Sequence, residues 1–99
     1  MLTITKKKDG DALVVYLQGR LETTTAPQFS AELKDALDGV VSLTLDMEKL
    51  DYISSAGLRV LLTVQKRMNV QGSMKILHIN ETVQEIFEIT GFSEIFTVE

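Results

Sequence analysis

The chain has 99 residues, 44% of them hydrophobic and 24% charged, which is material for one compact domain that buries about 60–65% of its unfolded surface. Ten basic against fourteen acidic side chains leave a net charge of −4, so the molecule as a whole repels phosphate backbones and anionic lipid, and neither nucleic acid nor direct membrane contact is expected. Without cysteine there is no disulfide, no thiolate metal site and no thiol nucleophile, which suits a reducing compartment.

Met1 to Thr5 precede Lys6, Lys7 and Lys8, the reverse of the basic-then-apolar order of a secretory signal, and no apolar run approaches the ~20 residues of a membrane-spanning helix. A cytoplasmic chain is expected. Leu2 and Ile4 alternate with threonines, Leu13, Val15 and Leu17 alternate with Val14 and Tyr16, and Asp9-Gly10 separates the two runs. This predicts an antiparallel β-hairpin with Gly10 at a positive φ in a primed turn and Lys6 to Lys8 at its tip. Ala26, Phe29, Leu33 and Leu37 then draw an apolar stripe over a helix from Thr25 to Asp38. Thr25 and Gln28 have capping-box spacing, Pro27 falls in the first turn and Gly39 marks the exit.

Val41, Leu43 and Leu45 predict a strand that stops near Asp46, with a loop through Tyr52. A second helix covers about Ala56 to Val70, with Leu58, Leu61, Leu62 and Met68 inward and Arg59, Thr63, Lys66 and Arg67 mostly outward; Gly72 closes it. Met74, Ile76 and Leu77 form another strand, and Asn80 is placed to cap a third helix carrying Val83, Ile86 and Phe87, with Glu81 near its positive end and Gly91 after its last turn. Ile95, Phe96 and Val98 leave material for one short last strand. The order β-β-α-β-α-β-α-β over residues 1–99 describes a single α/β domain. Right-handed crossovers make its sheet mostly parallel, the opening hairpin makes it mixed, and the helices pack against it.

Enzyme chemistry finds little to use. Ile53-Ser54-Ser55-Ala56-Gly57 lacks the glycine that precedes a nucleophilic serine in Gly-x-Ser-x-Gly, and the lone His78 ends a strand, so a serine hydrolase built on Ser55 has no evident base. Metal ligation needs three or four convergent donors. Asp46, Glu48 and Asp51 form the densest acidic stretch and read as a solvated loop, a partner surface or an occasional cation site. Neither Gly-x-Gly-x-x-Gly nor Gly-x-x-x-x-Gly-Lys-Ser/Thr occurs, so no nucleotide cofactor is expected. Lys6 to Lys8 are a solubilising charged turn beside Asp9 and Asp11. Arg59, Lys66 and Arg67 form the exposed side of an amphipathic helix or part of a docking face.

Ser54-Ser55-Ala56-Gly57 is the most informative stretch. One serine hydroxyl suffices to cap a helix, a contribution of about 1 kcal/mol. A second hydroxyl at the positive end of the helix offers a place for a phosphate group, which adds about −1.5 to −2 charges and three acceptor oxygens. A partner fitted to the unmodified surface would then face a desolvated dianion and let go. Ser55 reads either as that acceptor or as a cap alone.

The run from Leu43 to Leu58, centred on Asp51-Tyr52-Ile53-Ser54-Ser55-Ala56-Gly57, resembles the signature of STAS domains, in particular the short bacterial anti-sigma factor antagonists. Gly19-Arg20-Leu21-Glu22 resembles the Gly-x-Leu-Asp that follows the second strand of that family, and Ile89-Thr90-Gly91-Phe92 resembles its closing helix-glycine-apolar element. The resemblance implies a non-enzymatic binding module. The unmodified antagonist binds an anti-sigma factor that is also a serine kinase and so frees a sigma factor; the kinase phosphorylates the antagonist to release itself, and a PP2C-type phosphatase resets the cycle. The family pattern Asp-Ser-Ser/Thr-Gly, aligned on Gly57, puts Ser55 at the phosphorylated position and implies roles for Glu22 and Ser54; together with Gly57 and the exposed Arg59 they make up the expected partner surface of Glu22, Ser54, Ser55, Gly57 and Arg59. Ser54 stands where the family has aspartate, Ala56 replaces its second hydroxyl residue, and Glu22 lengthens its aspartate by one methylene. No cofactor or metal is implied, and a monomer or weak dimer is expected. The alternative on the same fold is a cytosolic subunit of an anion or lipid transport assembly.

Overall fold

The computed structural model describes residues 1–99. Two strands, β1 (Leu2–Asp9) and β2 (Ala12–Leu21), precede helix α1 (Ala26–Ala36); β3 (Ser42–Ile53), α2 (Ser55–Gln71), β4 (Ser73–Leu77) and α3 (Glu81–Thr90) follow, and a short 3-10 turn spans Phe92–Glu94. The sheet order is β1-β2-β3-β4, antiparallel in the hairpin and parallel in the two later pairings, so the mixed, mostly parallel sheet is as expected. Asp9 pairs with Ala12 across a two-residue turn, and Gly10 takes φ 61° there. Only a residue without Cβ enters that region freely.

Alternation along the strands decides which face is covered. Leu13, Val15 and Leu17 are buried together with Leu43, Leu45 and Ile76, and Phe29, Leu33, Leu58, Leu61 and Met68 of the helices complete the same core. The opposite side of the hairpin carries Thr3, Thr5, Lys7, Tyr16 and Gln18, which face solvent. Lys6 to Lys8 lie within the edge strand β1 rather than at the tip of the hairpin, because pairing continues to Asp9. Lys6 Nζ reaches Glu32 at 3.2 Å, and the Lys7 ammonium lies 5.9 Å from the centre of the Tyr16 ring.

Three elements depart from the sequence pattern. The strand expected to stop near Asp46 runs on to Ile53. Tyr16 pairs with Asp46 but Gln18 with Lys49, and Gly19 pairs with Leu50 but Arg20 with Tyr52, so β3 holds an extra residue at each of two bulges. Its inward residues are therefore Leu45, Met47, Leu50 and Ile53, a spacing that breaks the period of two. Asp46, Glu48 and Asp51 accordingly lie on a bulged strand and not in a loop.

Helix α1 starts at Ala26, and the Thr25–Gln28 capping box does not form. The buried Thr25 hydroxyl donates to Arg20 O at 2.8 Å and accepts from Glu22 N at 2.9 Å, tying the β2–α1 turn, while Gln28 Nε2 donates to Leu2 O at 3.3 Å. The last strand shrinks to one parallel bridge between Ile76 and Val98, held by Ile76 N to Thr97 O (2.8 Å) and Glu99 N to Ile76 O (2.9 Å). Phe96 instead turns into the core, 5.4 Å from Phe87 and 5.5 Å from Phe92 between ring centres. The burial of an aromatic ring outweighs one more turn of ladder.

Candidate functional site

Parallel pairing brings the carboxyl ends of β2 and β3 to one end of the sheet, where Leu21 lies opposite Ile53 and Ser54 N donates to Leu21 O at 2.9 Å. The chain turns there into α2. Ser54 is the N-cap in extended conformation: its Oγ accepts from Gly57 N at a long 3.4 Å, and its carbonyl accepts from Leu58 N at 2.9 Å. Ser55 is the first helical residue, exposed, and its hydroxyl enters no hydrogen bond. It stands where unpaired amides and the helix dipole favour negative charge.

Gly57 is buried against the strands below. A Cβ on it would lie 2.8 Å from the Leu21 side chain, 2.9 Å from that of Ile53 and 2.9 Å from Leu21 O. Contacts that short leave room only for glycine, and the carbonyl oxygen cannot swing aside. The glycine thus seats α2 on β2 and β3 and fixes how far Ser54 and Ser55 stand from Glu22.

Glu22, half-buried, lies just past β2, and its backbone is held by the Thr25 hydroxyl and by Thr25 N and Ala26 N bonded to its carbonyl at 3.0 and 2.7 Å. Its Oε2 accepts from Arg20 Nε at 2.6 Å. Arg20 also lies 4.7 Å above the centre of the Tyr52 ring. Arg20 and Tyr52 both lie inside sequence motifs, but nothing in the sequence pairs them, because their juxtaposition requires the second bulge of β3.

Arg59 is exposed one turn into α2. The remainder of the basic stripe divides. Lys66 is exposed, whereas Arg67 ties the two helices, donating to Lys34 O at 2.9 Å and to Asp38 Oδ1 at 3.0 Å, and so belongs to α1–α2 packing.

His78 sits apart from Ser55, after β4, with φ 61° and its Nδ1 3.2 Å from both oxygens of Asp46. Asp46, Glu48 and His78 can bring one ligand atom each within 4.8 Å of one another, so the donors that converge are not the Asp46, Glu48 and Asp51 of the sequence pattern. No histidine or carboxylate is hydrogen-bonded to Ser55, so no general base is positioned to activate it. No helix is long and apolar enough to cross a membrane.

The pattern of the STAS domain family matches residues 3–99. BtrV of Bordetella bronchiseptica, named as a candidate anti-sigma factor antagonist, is 42% identical over 99 residues, spanning 98% of this chain and 85% of BtrV. The anti-sigma-B factor antagonist of Listeria monocytogenes is 28% identical over 95% of this chain and 84% of its own length. Among solved structures, the anti-sigma factor antagonist SpoIIAA in its unphosphorylated form superposes with a TM-score of 0.84 over 98% of this chain and 88% of SpoIIAA at 20% identity. SpoIIAA of Bacillus in its phosphorylated form gives 0.75 over 98% and 91% at 19% identity. With the family pattern running almost end to end and the signature turn placed between β3 and α2, the chain belongs to the STAS domain family.

Proposed function

We propose that this protein is an anti-sigma factor antagonist whose unphosphorylated form binds an anti-sigma factor with serine kinase activity, that Ser55 is the phosphoacceptor, and that a PP2C-type phosphatase restores the binding form. The observation that carries this is the division of work between two adjacent serines: Ser54 caps α2, which leaves the Ser55 hydroxyl exposed and unengaged at the positive end of a helix. A dianion there enters a surface of Glu22, Ser54, Ser55 and Arg59 without disturbing the core; Gly57, expected on that surface, is instead buried beneath it and seats the helix. The partner is lost because the new charge would be desolvated at the interface, so no refolding is required. SpoIIAA, which shares this fold, exists in both forms. The chain acts by binding and needs no cofactor; the phosphoryl group comes from the nucleotide of the kinase.

The test is affinity capture from the native cytoplasm with wild type, Ser55→Asp and Ser55→Ala as parallel baits, with phosphopeptide mapping. The expected result is a small ATP-binding serine kinase on wild type and on Ser55→Ala, its loss from Ser55→Asp, and phosphate on Ser55 of wild type only. Equal retention by all three baits overturns the switch.

A further inference from the structure

We propose that Arg20 is the positioning residue of the partner surface: it holds the Glu22 carboxylate in one orientation beside the Ser54–Ser55 turn, so that Glu22 Oε1 is presented to a cationic or N–H donor group of the kinase. The inference rests on the function proposed above and names one of its contacts.

Arg20 is fixed twice. Its guanidinium lies 4.7 Å above the centre of the Tyr52 ring, which the parallel register sets opposite it, and its Nε donates to Glu22 Oε2 at 2.6 Å. The ring supplies a platform on which a planar guanidinium stacks, and the short charge-assisted bond fixes the direction of the carboxylate. Glu22 Oε2 is thereby occupied while Oε1 enters no hydrogen bond. The backbone of Glu22 is already locked by Thr25, so the side-chain torsions are the freedom that Arg20 removes.

Exposure argues that this is not a device for stability. The side chains retain 52% of their exposure at Arg20 and 31% at Glu22, and ion pairs so open to water contribute little to folding. An oriented carboxylate does matter to binding, since a side chain fixed before association loses no rotamer freedom during it. The lysine side chain would keep the charge but neither the fixed Nε–H donor direction nor the planar stack on Tyr52.

The experiment is a double-mutant cycle on affinity, using as probe the serine kinase retained by the wild-type chain in the capture above, with the thermal midpoint of every variant measured alongside. Arg20→Ala and Glu22→Ala are each expected to weaken binding roughly tenfold, and the double variant no further than Glu22→Ala alone, since contacting groups that act as a unit are non-additive. Arg20→Lys is expected to fall with Arg20→Ala. If Arg20→Ala does not fold, Arg20→Gln, which keeps part of the aliphatic stem over Tyr52, replaces it in the cycle. Losses that multiply to roughly a hundredfold would mean that Arg20 meets the partner independently, and overturn the inference. So would unchanged affinity of Arg20→Ala, or full affinity of Arg20→Lys. A kinase that binds wild type and is lost from Ser55→Asp in any of those cases leaves the switch standing; a capture that yields no kinase overturns both.

Discussion

A serine hydroxyl at an N-cap satisfies an amide that the helix leaves unpaired, and Ser54 does this for Gly57 while Ser55 does it for nothing. Replacing Ser54 by alanine is therefore expected to cost about 1 kcal/mol in urea unfolding. Replacing Ser55 is expected to stay within about 0.5 kcal/mol, as for exposed positions that make no structural contact. Equal losses at the two positions would assign both hydroxyls to the cap. Two residues on, the constraint is steric. Gly57→Ala places a Cβ against Leu21 O and two packed side chains, and overpacking of this kind is expected to cost about 1–3 kcal/mol in the same measurement.

At the scale of the element, β3 shows what alternation conceals. Met47 and Glu48 together oppose Leu17, so deleting Glu48 removes the bulge and leaves Met47 and Leu50 two apart, both still on the buried face. The deletion variant is expected to fold cooperatively in a thermal melt. Deleting Thr44, which lies in regular ladder, sends Leu43 or Leu45 to the open face and is expected to abolish folding. If both deletions behave alike, the bulge is not where the register places it. The same bulges explain which parts of the fold were legible. The hairpin, α2 and α3 follow one period from end to end and read directly, down to Asn80, whose Oδ1 accepts from Val83 N at 2.8 Å as a cap should. The second half of β3 mixes two periods and reads as loop. The pairing of Arg20 with Tyr52 lies across that half and is not legible, whereas the start of α2 at Ser54 and Ser55 reads from its local motif.

Across the whole molecule, helices shield one side of the sheet and the C-terminal bridge at Ile76 covers part of the β4 edge, which leaves β1 as the open edge. Lys6, Lys7 and Lys8 lie along it, and charge on an exposed edge discourages pairing with a second chain. Replacing all three by valine is expected to produce concentration-dependent association in sedimentation velocity at concentrations where wild type sediments unchanged. The substitution makes the net charge more negative, which by itself opposes association, so self-association would come from the strand that has lost its lysines and gained valines. Unchanged sedimentation of the variant would remove the lysines from that role.

The parallel pairing of β2 with β3 carries a consequence of another kind. Glu22 follows one of these strands and Ser54 the other, and nothing local in the chain holds them together. A nascent polypeptide still closing that long-range pairing already contains Ser55 but has not assembled its surroundings. A kinase that recognises the assembled surface would then ignore unfinished or damaged copies. The signal would count only those molecules that have completed their fold.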